Sequence, residues 1–231
     1  MTDLGSSPSS GSERERIIDA FMALLAERPI ERIGFAEIAA RTGLTLAQCR
    51  AQFGSVLGIL AAHIEATDRR VLEQDDSDMA EEPVRERLFD VLMRRLEVLA
   101  PHKAAVRSLM RSARCDPALA LFLNRMAVQS QAWMMTAAGI DATGPRGAVR
   151  AQGLACLFGR VLRTWIHDDD PGLAPTMAAL DRELARGARW AGFLDDLWRL
   201  SPLRLFCPAG GRSRRWPREA PGAEEAPSPA I

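Results

Sequence analysis

The sequence predicts an all-α fold on three observations. Apolar residues recur at helical spacing in one segment after another. No stretch alternates with period two for long enough to make a strand. The breaks between periodic segments carry turn and helix-start residues: Pro29, Gly43, Pro101, Asp116-Pro117, Gly144-Pro145 and Asp170-Pro171-Gly172.

The elements follow in order. Ser6 to Ser12 is rich in Ser, Pro and Gly and reads as a disordered leader, 1–12. Ser12 with Glu15 fits a capping box, after which Ile17, Ile18, Phe21, Met22, Leu24 and Leu25 form the stripe of a first helix that Pro29 stops. A short second helix spans about Phe35 to Arg41. A third starts near Thr45, a plausible N-cap, and ends around Phe53-Gly54. Ser55 caps a fourth with Val56, Leu57, Ile59, Leu60 and Ile64 on its apolar side. Gln74 to Glu86 is acidic and polar and separates two units. Five further helical patterns cover 84–100, 103–114, 117–139, 146–168 and 173–200. The tail, 201–231, is rich in Pro, Gly and Arg and reads as disordered. This divides the chain into a unit at 13–66 and a larger helical unit at 67–200.

Composition narrows the function. At 231 residues and 47% hydrophobic, the chain can bury a sizeable core as one domain or two small ones. Thirty basic residues balance thirty acidic ones, so no global field announces nucleic acid and no acidic excess announces disorder. Cys49, Cys115, Cys156 and Cys207 are far apart, which points away from a disulfide scaffold and from a zinc ribbon. No signal-peptide pattern opens the chain and no run approaches 18 apolar residues, so the expected location is the cytoplasm. There is no GxSxG, P-loop, HExxH or GxGxxG in a strand–helix setting, and the expectation is a protein that is not an enzyme, with no cofactor and no metal.

The informative segment runs from Gly34 to Phe53. Two short helices flank a Gly turn. Gly43 stands where the chain needs a positive φ, and Leu44 inserts into the core after it. Ile38, Ala39, Leu46, Cys49 and Phe53 are the expected anchors. Thr45, Ala47, Gln48, Arg50, Ala51 and Gln52 then point outward. This is the geometry of a helix-turn-helix, whose second helix enters the major groove of DNA. Gln48 and Gln52 suit adenine edges, and Arg50 suits a guanine edge or a phosphate. The thiol of Cys49 reads as an apolar anchor or as a redox sensor on that helix.

RERIIDAFMALLAERPIERIGFAEIAARTGLTLAQCRAQFGSVLGILAAHIE resembles the N-terminal domain of TetR-type transcriptional regulators, over about 13–66. IAARTGLT, the QFGS turn and the helix before them carry the likeness. The resemblance implies a DNA operator as partner, a homodimer, a C-terminal helical domain for ligand and dimer contacts, and repression relieved by a small effector. It places Thr45, Leu46, Gln48, Arg50 and Gln52 where that family reads DNA. The chain departs from the family in having no tyrosine, with Cys49-Arg50 ahead of the FGS turn and Val56 just after it. Residues 13–66 hold six Arg against seven acidic residues, a net charge of −1. The segment RERLFDVLMRRLEVLAPHKAAVRSLM is similar to the TetR-like accessory proteins of ubiquinone biosynthesis, over about 84–200. That second resemblance implies lipid binding in place of DNA binding.

In the larger unit Met93, Met110, Phe122, Met126, Trp133, Phe158, Leu162 and Trp165 read either as plain core or as an adaptable pocket for an apolar effector, with Met134 and Met135 beside them. Gln129, Gln131 or an indole N–H can orient the ligand. The helices at 146–168 and 173–200 are the expected dimer interface. His167 with Asp168, Asp169 and Asp170 reads as a turn and N-cap rather than a metal site. His63 and His102 read as structural. The segment Trp190 to Phe206 reads as the last bundle helix or as an interfacial membrane anchor.

Overall fold

The computed structural model describes residues 10–74 and 81–200, with side chains described from 13 to 187 and at 189 within those stretches. The leader residues 1–9, the tail 201–231 and the side chains of the Trp190–Phe206 segment lie outside the described residues. By its internal contacts the chain forms two units, Met1–Phe193 and Leu194–Ile231, and every described side chain belongs to the first.

Among the described residues there are helices and turns and no strand. The helices are α1 (Ser10–Glu27), α2 (Phe35–Thr42), α3 (Leu46–Gln52), α4 (Val56–Leu72), α5 (Val84–Leu99), α6 (Lys103–Ser112), α7 (Pro117–Ala137), α8 (Gly144–Trp165) and α9 (Ala174–Leu200). Short 3-10 turns at Ile30–Arg32 and Ala100–His102 join α1 to α2 and α5 to α6. None of the helices is long and apolar enough to cross a membrane, within the described residues. One boundary differs from the sequence reading. The helix of α1 already begins at Ser10, so Ser12 is inside the first turn and is not its N-cap.

The local signals at the other helix starts act as their chemistry dictates. Ser55 Oγ accepts from Gly58 N–H at 3.0 Å and starts α4. Asp116 Oδ1 accepts from Ala118 and Leu119 N–H at 2.9 and 3.1 Å, with Pro117 at the first helical position of α7. Before α9, Asp170 Oδ2 accepts from Ala174 N–H at 2.9 Å. Asp168, itself buried, accepts at Oδ2 from Thr176 N–H at 3.0 Å and from Thr176 Oγ at 2.5 Å. The hydroxyl of Thr176 holds the Asp168 carboxyl below the usual carboxylate range. His167 is exposed, so the run His167–Asp170 is a capped turn.

Two apolar clusters organise the helices. The first joins Phe21 and Leu25 of α1, Ile38 of α2, Cys49 of α3, Ile59 and Leu60 of α4, and also Ala105 of α6 and Leu119 of α7. The second joins Val71 of α4 to Leu92 and Leu96 of α5, Met134 and Met135 of α7, Phe158 and Trp165 of α8, and Leu180 of α9. Helix α4 therefore has one end in each cluster. Helix α6 packs on α1, and Ser112 Oγ donates to Glu31 Oε2 at 3.1 Å beside the turn after α1. His63 of α4 meets His102 edge to face, with ring centroids 4.7 Å apart.

Candidate nucleic-acid interface

Helices α2 and α3 meet at Gly43, whose φ of 72° lies in the left-handed region. A side chain with a Cβ is disfavoured there, and the Gly43 N–H closes α2 on the Ala39 carbonyl at 2.9 Å. Leu44 is half-buried against the first cluster. Thr45 then caps α3. Its Oγ accepts from Gln48 N–H at 3.2 Å, and Gln48 Oε1 accepts in return from Thr45 N–H at 2.9 Å. Each group satisfies a donor that the helix start leaves open.

Seven residues make α3, and Cys49 within it and Phe53 at its end fix its orientation. Cys49 is fully buried and Phe53, its C-cap, is buried. Cys49 packs in the first cluster as an apolar anchor does, and burial pushes its thiol up, which disfavours the reactive thiolate. Thr45, Leu46, Ala47, Arg50 and Ala51 are exposed, while Gln48 and Gln52 are half-buried. Leu46 corrects the expectation of an anchor: it is 57% exposed and stands outside the cluster that holds Cys49. A leucine side chain on the first turn of the outward helix adds apolar surface to the face that would meet DNA.

Gln48 carries the second correction. Its Oε1 is taken by Thr45, so the amide nitrogen is turned away, and Nε2 donates to Glu13 Oε1 of α1 at 3.1 Å. Backbone N–H groups only donate, which fixes the amide orientation from the hydrogen bonds themselves. The Gln48 carboxamide is thus engaged at both ends inside the chain and would have to leave these partners to pair with an adenine edge.

Two arginines of α1 hold the far ends of the motif. Arg14 Nη1 donates to the Gln52 carbonyl at 3.1 Å, and its guanidinium lies 4.3 Å from the Phe53 ring centre. Arg16 Nη2 donates to the Thr42 carbonyl at 2.5 Å. Both place positive charge at helix C-termini, where open carbonyls favour it. The side chain of Arg50 reaches back toward Gly54, within 3.3 Å of the position a Cβ would take there.

The residues expected to form one apolar pocket are dispersed. Phe158 and Trp165 are buried in the second cluster, and Met110 and Leu162 pack against it. Phe122 packs against the first cluster instead. Met93 borders a cavity of about 580 Å³ with Lys103, Asp168 and Met177. Met126 and Trp133 border a different cavity of about 320 Å³ between α4 and α7, with Ile64, Asp68, Gln129 and Ser130. Helical spacing identified the buried faces that hold Phe158 and Trp165 but also took in the exposed Trp133, and the faces point at different neighbours. Gln131 does not reach that cavity lining; it is buried, with Oε1 unpartnered among the described residues.

Sequence reading missed the polar floor of the smaller cavity. Asp68, Arg95 and Ser130 are all buried. Arg95 Nη1 and Ser130 Oγ both donate to Asp68 Oδ1, the latter at 2.8 Å. A charged residue on a helix reads as a solvated one when its partners lie on two other helices, so no local signal marks this cluster.

No protein-family model matches the chain, and no curated protein matches it. Solved structures do. The TetR transcriptional regulator from Nitrosomonas europaea ATCC 19718 superposes with a TM-score of 0.59 at 19% identity, over 76% of this chain and 97% of that one. A TetR transcriptional regulator from Rhodococcus sp. RHA1 does so with a TM-score of 0.51 at 18% identity, over 77% of this chain and 96% of that one. With the Gly43 turn, the capped α3 and the two-cluster helical arrangement, these superpositions show that the chain takes the fold of TetR transcriptional regulators.

Proposed function

We propose that the chain is a DNA-binding transcriptional regulator of TetR type that acts as a ligand-responsive repressor in the cytoplasm. The observation that carries this reading is α3: a capped helix after a left-handed glycine, with Thr45, Leu46, Ala47 and Arg50 exposed. In this reading α3 enters the major groove, and Arg14, Arg16 and Arg50 supply cationic charge near the backbone. Residues 13–66 form the DNA-binding unit and 67–200 the effector and dimer unit. Two copies join through α8 and α9, whose exposed sides include Val149, Cys156 and Arg182. Their recognition helices must then match successive major grooves about 34 Å apart.

The effector site in this reading is the cavity between α4 and α7. Helix α4 runs from the first cluster, at Ile59 and Leu60, to the second, at Val71. A ligand that favours one placement of α4 changes the spacing of the two α3 helices and with it the operator affinity. A lipid-binding accessory role is the competing reading, favoured by the net charge of −1 over 13–66 and by the engaged Gln48.

The test is selection of DNA fragments from random and genomic pools by the purified protein, followed by fluorescence anisotropy. A saturable transition on a palindromic site that weakens steeply with salt is expected. Binding no tighter to the best selected site than to scrambled DNA, together with co-sedimentation on anionic liposomes, would replace this reading with the lipid one.

A further inference from the structure

The cavity between α4 and α7 has a polarity that selects a ligand class. Both bonds to the Asp68 carboxylate at its floor, from Arg95 and from Ser130, fall on Oδ1, and Oδ2 takes neither. One oxygen of a buried carboxylate is thus open to a further donor from the cavity that Asp68 lines. The walls are apolar: Ile64 on α4, and Met126 and Trp133 on α7. Trp133 is 55% exposed, so a large indole surface stands uncovered beside a carboxylate. At the rim are Glu65, Arg69 and Glu73. Arg69 lies 3.6 Å from Glu73, and Arg95 answers Asp68. Glu65 has no cation within ion-pair distance among the described residues, so it gives the lining an unbalanced negative charge.

Each class of ligand fares differently here. An anion meets Glu65 and Asp68. A wholly apolar molecule seated on the floor removes water from Asp68 Oδ2 and offers nothing in return, which is unfavourable for a charged acceptor. A protonated amine can donate to that oxygen in a lining that also holds the Glu65 carboxylate and the Trp133 indole. A cavity of about 320 Å³ is at the small end of the range for such sites. We propose that this cavity binds a small protonated amine with an aryl or alkyl body. Asp68 accepts its N–H, Glu65 provides the balancing charge, and Ile64, Met126 and Trp133 cover the apolar part. As an effector site the cavity rests on the regulator reading above; as a binding site it does not.

Three probes with one carbon body decide it: 4-phenylbutylammonium, 4-phenylbutanol and 4-phenylbutanoate, titrated calorimetrically into the intact protein. The ammonium is expected to bind about tenfold tighter than the alcohol, equivalent to about 1.4 kcal/mol, with the carboxylate weakest. Glu65→Gln is expected to weaken the ammonium roughly three- to tenfold and to leave the alcohol unchanged. Trp133→Ala is expected to weaken both. Trp133 is exposed and Glu65 lies on the helix surface, so neither change should threaten the fold. An alcohol as tight as the ammonium, an ammonium indifferent to Glu65→Gln, or no binding of any probe would overturn the proposal. Operator affinity is read separately. Ammonium binding without a specific DNA site keeps the cavity assignment and removes the regulator reading, and the reverse result does the opposite.

Discussion

Gln48 Nε2 of α3 donates to Glu13 Oε1 of α1 across 3.1 Å, between residues 35 apart in sequence. The bond fastens the outward helix to the first one and removes a polar group from the surface that would face bases. Gln48→Ala is therefore expected to act on stability first, lowering it by about 1 kcal/mol through the lost capping-box and inter-helix bonds. Base preference at the selected site should change little. Glu13→Ala should raise DNA affinity, because it removes a negative charge beside α3 and frees the Gln48 amide. Urea unfolding and anisotropy on the selected DNA check the two parts. Relaxed base preference in Gln48→Ala without loss of stability would show that the amide leaves Glu13 and reads a base.

Asp68 and Arg95 form a buried ion pair between α4 and α5, supported by Ser130 from α7. Removing one charge leaves the other buried without its partner. Arg95→Met should therefore cost about 3–5 kcal/mol. Replacing both, as Asp68→Leu with Arg95→Met, should recover much of that loss, since apolar groups need no partner. Denaturant midpoints of the single and double variants measure the difference, and a double variant as unstable as the single one would refute it.

His63 is buried with its Nε2 unpartnered, and burial, with smaller contributions from His102, Arg70 and Arg95, lowers its pKa to about 4. His102 is lowered as well, chiefly by burial, against the pull of Asp19. An imidazole takes a proton near pH 6.5 in the unfolded chain. As pH falls from 6.5 toward 4, the unfolded state gains a proton that the folded state refuses, so stability is lost over that window. Between pH 7.5 and 5 the contribution of His63 is about 2 kcal/mol. His63→Leu should reduce the loss over the same interval. Equal pH dependence in the two proteins would place the responsible groups elsewhere.

Cys49 is fully buried, whereas Cys115 and Cys156 are exposed. Iodoacetamide should label Cys115 in the native protein and reach Cys49 only on unfolding, while protection of Cys156 would report the dimer face on α8. Peptide mapping of labelled sites, with and without denaturant, checks this. Native labelling of Cys49 on the timescale of Cys115 would mean that α3 opens readily.

What could be read from the sequence was what short stretches of chain decide. The left-handed glycine at 43, the Thr45 cap and the Ser55 cap each depend on groups within about four residues, and each is found as expected. The all-α class followed from periodicity, which reports which side of a helix is apolar. The Asp170 cap before α9 followed from a local Asp-Pro-Gly run.

Tertiary structure alone decided which neighbour each face meets. Helical spacing put Leu46 on the same face as Cys49, yet Leu46 stands outside the core that holds Cys49. Gln48 looked free because its partner, Glu13, is on another helix. The Met and aromatic residues expected to line one pocket did not converge, because Phe122 faces the first cluster and Trp165 the second. The carboxylate at the floor of the amine cavity meets Ser130 across 62 residues of chain. Periodicity describes one helix at a time, whereas burial, ion pairing and a cavity belong to surfaces that exist only after the helices have packed.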